Sequence, residues 1–493
     1  MTELWLVLCC VIGVIAAAPQ NSTTSASYDT IVVGLGSAGV TAATTLARAG
    51  RRVLGLEAQD RVGGRVYTVP FGNGLVELGA EWIHGTEKSR TYDLANEYNI
   101  ALLPTPLNHK IFRSNGEEAN ATLVRELFDF CLAVVQEHPP DPPEPVGNFT
   151  MRKAMEYITE KYPELLKDQD FIDQFFELAN LYVDGYESSN DWNEVTTDSQ
   201  YEELKGNQVI SWHRYGYKTF FEIMLNKYNG APGLPSLEVK LGTEVTQIIA
   251  PQHPNEKVVV KCKDGSSYEA DNVIVTVSIG VLKEKHTTLF SPPLPKNKQT
   301  AIEKISIGVI DKVILAFDRV WWPNNYSFFG FLWKGEDTRK VSQDDRWILN
   351  ISGASPPMAA SNVLTMWING NAARKMETLP EDVVKTKCLE LLQRFIGDNI
   401  GLKVPEPTAL IRSTWGKNLF TRGSYTFDNL LKPQYPDARA WLGAPLTDSA
   451  GAPRVLFAGE ATNFNHFSTV HGASETGYRE ATRLLNSGTS VTD

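Results

Sequence analysis

Thr30-Ile31-Val32-Val33-Gly34-Leu35-Gly36-Ser37-Ala38-Gly39 is the stretch on which the fold turns, and it is read together with Glu57. The apolar, β-branched start reads as a buried strand. Residues 40–49 then read as a small-residue helix ending at Gly50, and residues 51–57 as a second strand. This opens a βαβ unit, so a parallel sheet with helices on its faces is expected. The glycines sit between strand and helix, where they permit a tight turn and let backbone amides approach a pyrophosphate at a helix N-terminus. Glu57 closes the second strand, placed to accept hydrogen bonds from both ribose hydroxyls of an adenosine. Gly34, Gly36, Ser37, Ala38, Gly39, Glu57 and the adjoining Ala58 are therefore the candidate dinucleotide contacts. An acidic residue at this point disfavours a 2′-phosphate and so NADP, while NAD and FAD stay level.

Working outward, 493 residues exceed what one core usually serves, and two domains are expected. A formal net charge of −11 argues against nucleic acid as a partner and suits a cationic one. Residues 4–14 are apolar and lead to Ala16-Ala17-Ala18, which fits a signal peptide over residues 1–18 and a secreted, extracellular protein. The run is too short to span a bilayer, and the C-terminus carries no apolar tail, so no membrane anchor is expected. Asn21, Asn120, Asn148, Asn325 and Asn350 each begin an Asn-X-Ser/Thr acceptor, which would carry N-linked glycan in an exported chain. Cys131, Cys262 and Cys388 remain after the leader, an odd number without metal-ligand spacing, so neither a disulfide framework nor a metal site is indicated.

From about residue 113 to 226 the pattern turns helical and charged, broken by Pro139-Pro140-Asp141-Pro142-Pro143, which should be an exposed loop. Val258-Val259-Val260 and Val273-Ile274-Val275-Thr276, separated by Asp264-Gly265, read as part of a β-meander. Residues 305–317 read as one long strand, and Val455-Leu456-Phe457-Ala458 as another. The expected fold is α/β: a Rossmann-like dinucleotide domain, with parallel sheet and meander, interleaved with a mixed α+β substrate domain. The first takes residues 27–105, 229–305 and 421–488, the second 106–228 and 306–420.

Arg61-Val62-Gly63-Gly64-Arg65 breaks the cofactor tie. This double-glycine basic turn resembles the second FAD fingerprint of the flavin amine oxidase family, and Arg65 can pair with the pyrophosphate. Four further segments resemble the family in the same order. They are Glu77-Leu78-Gly79-Ala80-Glu81-Trp82, Gly242-Thr243-Glu244-Val245, Thr276-Val277-Ser278-Ile279-Gly280-Val281-Leu282 and Phe457-Ala458-Gly459-Glu460-Ala461-Thr462. The resemblance implies an FAD enzyme in which Gly79 and Ala80 lie against the flavin ring, with Glu81 and Trp82 beside them. It also implies that Val245 meets the adenine, Trp415 packs beside the flavin, and Glu460 binds the ribityl chain. The helix expected after His471-Gly472-Ala473 would aim its N-terminus, near Thr469 and Val470, at the flavin carbonyl edge and favour the reduced state.

For the amine, Lys312 in an apolar strand resembles the family lysine that holds a water near flavin N5. Trp82-Ile83-His84-Gly85 resembles the animal spermine and acetylpolyamine oxidases, which makes His84 the candidate for taking a proton from the substrate. Thr469, next to Ser468 as a further candidate substrate contact, stands where monoamine oxidases carry the aromatic residue that forms half of an aromatic cage, and Tyr425 supplies only the other wall. Ser424 replaces the cysteine that links flavin covalently in those enzymes, so FAD is expected to be non-covalent. Glu187 and Ser188 are candidates for holding a distal ammonium group. The implied reaction takes hydride from a polyamine C–H to FAD, yields an aldehyde and a shorter amine, and passes the electrons to molecular oxygen as hydrogen peroxide. An L-amino-acid oxidase is disfavoured because no arginine for a carboxylate accompanies residues 81–84, and a flavin-fold protein without turnover is disfavoured by Lys312 and His84. The sequence leaves the oligomeric state open.

Overall fold

The computed structural model describes residues 28–106, 108–137 and 140–487. The expected signal peptide and Asn21 lie outside the described residues. β1 (Tyr28–Val33), α1 (Ser37–Arg48) and β2 (Val53–Leu56) form the βαβ opening, with β1 and β2 parallel and paired Thr30 to Val53 through Val33 to Leu56. α1 begins three residues earlier than the small-residue run suggested. Gly36 is its N-cap, and Ser37, Ala38 and Gly39 form the first turn. The parallel sheet extends outward on both sides: Leu237–Lys240 joins β2, Ser267–Val275 joins β1, and Pro453–Phe457 joins the end of Ser267–Val275. Within the same nine-stranded sheet the first half of Ser267–Val275 pairs with Val258–Cys262, which pairs in turn with Val245–Ile249 to make the antiparallel meander.

The C-terminal helix Val470–Ser487 packs along α1. Small residues set the distance: a Cβ on Gly477 would lie 2.0 Å from the Ala38 carbonyl oxygen. Thr41 and Ser474 exchange a hydroxyl hydrogen bond of 2.9 Å across the seam, and Ser37 Oγ donates to the Val470 carbonyl at 2.9 Å. Two helix N-termini therefore converge at the glycine loop.

A second, six-stranded sheet carries the other half of the molecule. Ile310–Ala316 lies second from one edge, antiparallel to the edge strand Ala409–Arg412 on one side and to Val363–Asn369 on the other, and His109–Arg113 closes the far edge. The helices Ala121–Glu137, Val146–Lys161 and Gln169–Glu187 supply the expected helical block, and residues 141–143 of the proline-rich stretch are exposed. That block is not purely helical, because Ile210–Ser211 pairs with both Trp82–Ile83 and Leu103–Pro104.

The long strand expected over residues 305–317 is corrected to two. Ser306–Ile307 pairs with Thr426–Phe427, and Ile310–Ala316 belongs to the six-stranded sheet. The break is Gly308, where the chain presses so hard on the end of the helix Gln169–Glu187 that a Cβ would lie 1.3 Å from the Ser188 carbonyl oxygen. Gly308 N–H donates to Tyr425 O at 3.2 Å, Ser424 N–H donates to Gly308 O at 2.8 Å, and the Ser424 hydroxyl bonds both backbone groups of Ile310. The crossing from one sheet to the other is thus fixed by hydrogen bonds rather than by strand propensity.

Candidate active site

The glycine loop has the shape of an anion cradle. A Cβ on Gly39 would stand 1.9 Å from Gly34 O, so this glycine is required for the turn itself, and Gly34 adopts φ +90°. Gly36 is different: its backbone is extended at φ −75°, and a Cβ there would meet only Gly63 O and Gly64 Cα, each at 3.9 Å. No side chain caps α1 and no acidic residue sits in its first turn, which leaves its positive end for a ligand. Glu57 is buried beside it, accepting from Leu35 N–H at 2.7 Å and Gln59 N–H at 2.9 Å. Burial raises its carboxyl above the ordinary value despite those bonds. Thr243 N–H donates to Glu57 O and Gly242 N–H to Gln59 O, each at 2.8 Å, which brings the Val245 segment alongside. Ala58 is half-buried next to Glu57.

Arg65 and Glu460 meet each other, Nη1 to Oε1 at 3.0 Å, and Arg65 also donates to Ser424 O at 2.6 Å. Glu460 Oε2 accepts from Thr426 Oγ1 at 2.8 Å and Ser468 N–H at 3.0 Å. Burial pushes the Glu460 carboxyl up, but Arg65, Arg439 and these donors outweigh it and hold it below its ordinary value. Ser468 takes φ +65° and donates its hydroxyl to Thr426 O. Thr469 accepts from Gly472 N–H at 2.9 Å, so its hydroxyl is the N-cap of the C-terminal helix, and Val470 follows as the first helical residue.

Lys312 is 2 % exposed, and its ammonium group donates to Glu77 O at 2.8 Å, Gly79 O at 3.0 Å and Glu81 Oε2 at 2.8 Å. It also lies 4.1 Å from the centroid of the Trp367 ring, and Trp82 stacks on Trp367 at 5.4 Å. Trp415 donates from its indole to Leu78 O at 3.0 Å, and a Cβ on Gly79 would approach its ring to 3.0 Å. Ala80 N–H donates to Arg65 O at 3.2 Å. Lysine and tryptophan thus grip the Glu77–Gly79 carbonyls together. Glu77 itself is half-buried, accepts from Tyr217 N–H and Thr68 Oγ1, and desolvation pushes its carboxyl up to about 7.

His84 Nδ1 lies 2.6 Å from Gln208 O. A carbonyl only accepts, so Nδ1 carries the hydrogen and Nε2 keeps its lone pair. Burial lowers the imidazole below its ordinary value, which favours this neutral form. Tyr425 donates its hydroxyl to Gly185 O, and this places Glu187 and Ser188 at the same end of the site. Ser188 closes the helix in the left-handed region, with φ +61°. Burial, and then Asp428, push the Glu187 carboxyl up to about 7.

The structure therefore brings Lys312, Glu81, Trp82, Gly79, Ala80 and Trp415 into one cluster, and Tyr425, Glu187 and Ser188 into another, with His84 next to the Trp82 stack. Trp367, Gln208, Asp311 and Glu377 were missed by the sequence reading. The Lys312–Trp367 contact follows from cross-strand register, which no local spacing reports. The three described cysteines, Cys131, Cys262 and Cys388, are buried and unpaired, no group of three or more His, Cys, Asp or Glu residues among the described ones could hold a metal ion, and no described helix is long and apolar enough to cross a membrane.

Comparison with known proteins agrees with this geometry. The family described as "Flavin containing amine oxidoreductase" matches residues 37–485. The chain is 30% identical to the human "Peroxisomal N(1)-acetyl-spermine/spermidine oxidase" and 31% to its Bos taurus counterpart, in each case over 92% of this chain and 94% of the relative. It is 27% identical to "Polyamine oxidase 3" of Oryza sativa subsp. japonica, over 92% of this chain and 88% of that one. FAD, held without a covalent bond, is the cofactor, and the uncapped end of α1, the Gly36–Gly64 approach and buried Glu57 fit its adenosine and pyrophosphate. With the cradle, the lysine cluster and the family match in agreement over nearly the whole chain, this protein belongs to the flavin-containing amine oxidoreductases.

Proposed function

We propose that the chain oxidises a polyamine at a carbon next to a secondary nitrogen, with molecular oxygen as electron acceptor, giving an aldehyde, a shorter amine and hydrogen peroxide. FAD supplies the two-electron acceptor. The protein's own task begins with a proton. An alkylammonium titrates near 10.4 and has no lone pair to expel hydride, so the reacting nitrogen must become neutral. The observation that carries the proposal is the His84 tautomer: with Nδ1–H committed to Gln208 O, Nε2 is the free base of a half-buried, neutral imidazole. Lys312, its three N–H groups spent on two carbonyls and Glu81, fixes the Gly79–Glu81 wall. The similarity to peroxisomal and plant polyamine oxidases supports the substrate class. Glu187 supports it further, as a carboxylate for a distal ammonium.

The test is peroxide release by the flavin-loaded protein with spermine, spermidine, their N1-acetyl forms, benzylamine and L-leucine. Turnover of a polyamine is expected, and activity confined to leucine or benzylamine overturns the reading. Glu187 adds a pH signature. Its raised carboxyl is neutral below about 7 and charged above it, so KM for the polyamine falls as pH rises through that value. In Glu187→Gln the dependence flattens, and KM at pH 8 rises roughly tenfold with kcat little changed, as expected for loss of ground-state binding alone.

We also propose export from the cell. The leader over residues 1–18 supports this, as does the exposure of Asn120, Asn148 and Asn325 at three acceptor sites, while Asn350 is half-buried. Expressed with its leader in a eukaryotic cell, the protein is expected in the medium, with a mobility that increases on enzymatic deglycosylation. Retention in the cell without glycan rejects export.

A further inference from the structure

Asp311 precedes Lys312 on the same strand and so points to the opposite face of the sheet. It is completely buried, and Glu377, at the end of the helix Gly370–Met376, is 5% exposed. Asp311 Oδ1 accepts from Ser413 Oγ at 2.7 Å and Trp415 N–H at 3.1 Å, while Glu377 Oε1 accepts from the next amide, Gly416 N–H, at 2.7 Å. Ser413 Oγ in turn accepts from Lys312 N–H at 2.8 Å, and Ser413 N–H donates to Lys312 O at 3.0 Å. The backbones of Lys312 and Trp415, whose side chains together hold the Glu77–Gly79 carbonyls, are therefore tied to one pair of acids. Asp311 Oδ2 finds no N–H or O–H donor among the described residues, and the group within hydrogen-bonding reach is the Glu377 carboxyl. Two carboxyl groups in contact, deep in the protein, stay together only with a proton between them.

We propose that Asp311 and Glu377 share one proton and act as positioning residues, fixing Lys312 and Trp415 against the segment on which the cofactor ring rests. This rests on the functional reading above for the place of Lys312 and Trp415. Burial, and then Glu377, raise the Asp311 carboxyl well above its ordinary value, against the opposing bonds from Ser413 and Trp415. The other charges nearby do not replace the proton. Arg412 spends its guanidinium on Met376 O and Leu379 O, Lys417 reaches only Glu377 O at 3.5 Å, and the Lys312 ammonium lies on the opposite face of the strand. When the shared proton leaves as pH rises, two adjacent carboxylates repel, and residues 415–416 part from the lysine strand. For a carboxyl raised in the folded state, the stabilisation is present at low pH and lost as pH rises through the folded value.

Infrared spectra and pH–rate profiles of Asp311→Asn, Glu377→Gln and Asp311→Ala test this. In holoprotein and apoprotein alike, the parent-minus-variant difference spectrum of each amide variant is expected to hold the C=O stretch of a protonated carboxyl, shifted in deuterium oxide, with the raised carboxyls of Glu77 and Glu187 cancelling. In Asp311→Asn the side-chain N–H stands in for the shared proton and cannot ionise, so the alkaline fall of kcat moves up by about one pH unit or more. Asp311→Ala removes the tie, and kcat falls roughly tenfold with KM changed much less, as expected for a misplaced reacting geometry. Parent-minus-variant difference spectra without that band for both amide variants, or an alkaline limb in Asp311→Asn identical to the parent's, overturn the proposal. Should one amide variant fail to fold, the other makes the same replacement from the opposite side. The infrared readout needs no substrate, so it decides the acid pair even if no polyamine is oxidised.

Discussion

Lys312→Met is expected to lower turnover of the amine about a hundredfold, within the range for loss of a positioned polar group at the reacting centre. Methionine fills much the same volume beneath Trp367, but it donates nothing to Glu77 O and Gly79 O and leaves Glu81 without its partner. An uncompensated charge in a buried pair costs about 3 kcal/mol or more, so the variant should also melt lower. The two effects separate in Lys312→Met with Glu81→Gln: the double variant is expected to recover most of the melting temperature but none of the turnover. Stopped-flow flavin reduction and reoxidation, measured beside thermal unfolding, read both. A single variant with turnover within threefold of the parent would remove Lys312 from the reaction.

The second large effect concerns the cofactor and exploits the contrast between two glycines of one loop. Gly36→Ala places a methyl where the protein leaves space: the backbone is extended, and the nearest protein atoms stand at 3.9 Å. The apoprotein should fold as before, with unchanged circular dichroism and melting temperature. The methyl occupies the approach of the pyrophosphate, so FAD affinity should fall at least a hundredfold, or about 2.7 kcal/mol. Gly39→Ala is the opposite case, because a Cβ 1.9 Å from Gly34 O forces the backbone apart, and soluble protein should be lost altogether. Flavin fluorescence titration of the apoprotein distinguishes them. Parental affinity in Gly36→Ala would show that the loop holds no pyrophosphate.

The sequence by itself determined what depends on short-range spacing. The strand, glycine loop and helix at residues 30–48, Glu57 at the end of β2, and the hairpin about Asp264-Gly265 follow from residues within a few turns of each other, where sterics and periodicity act locally. The cofactor class was legible for the same reason, since a pyrophosphate asks for small residues at fixed offsets before a helix.

Tertiary structure alone decided the rest. Residues 305–317 carry the composition of a single strand, yet Gly308 splits it because the distant Ser188 carbonyl occupies the place of its Cβ. Arg65 and Glu460 are far apart in the chain and meet only in the assembled fold. Whether Lys312 meets Trp367, or Asp311 faces Glu377, is fixed by register between strands and by a helix end, and pairing energy depends on which side chains come into contact. Charge on buried groups is of the same kind. Glu187 and Glu57 rise because folding removes their water, while Glu460 falls because folding also brings Arg65 and Arg439 beside it. Desolvation and Coulomb energy are properties of the assembled interior, and a linear sequence does not contain them.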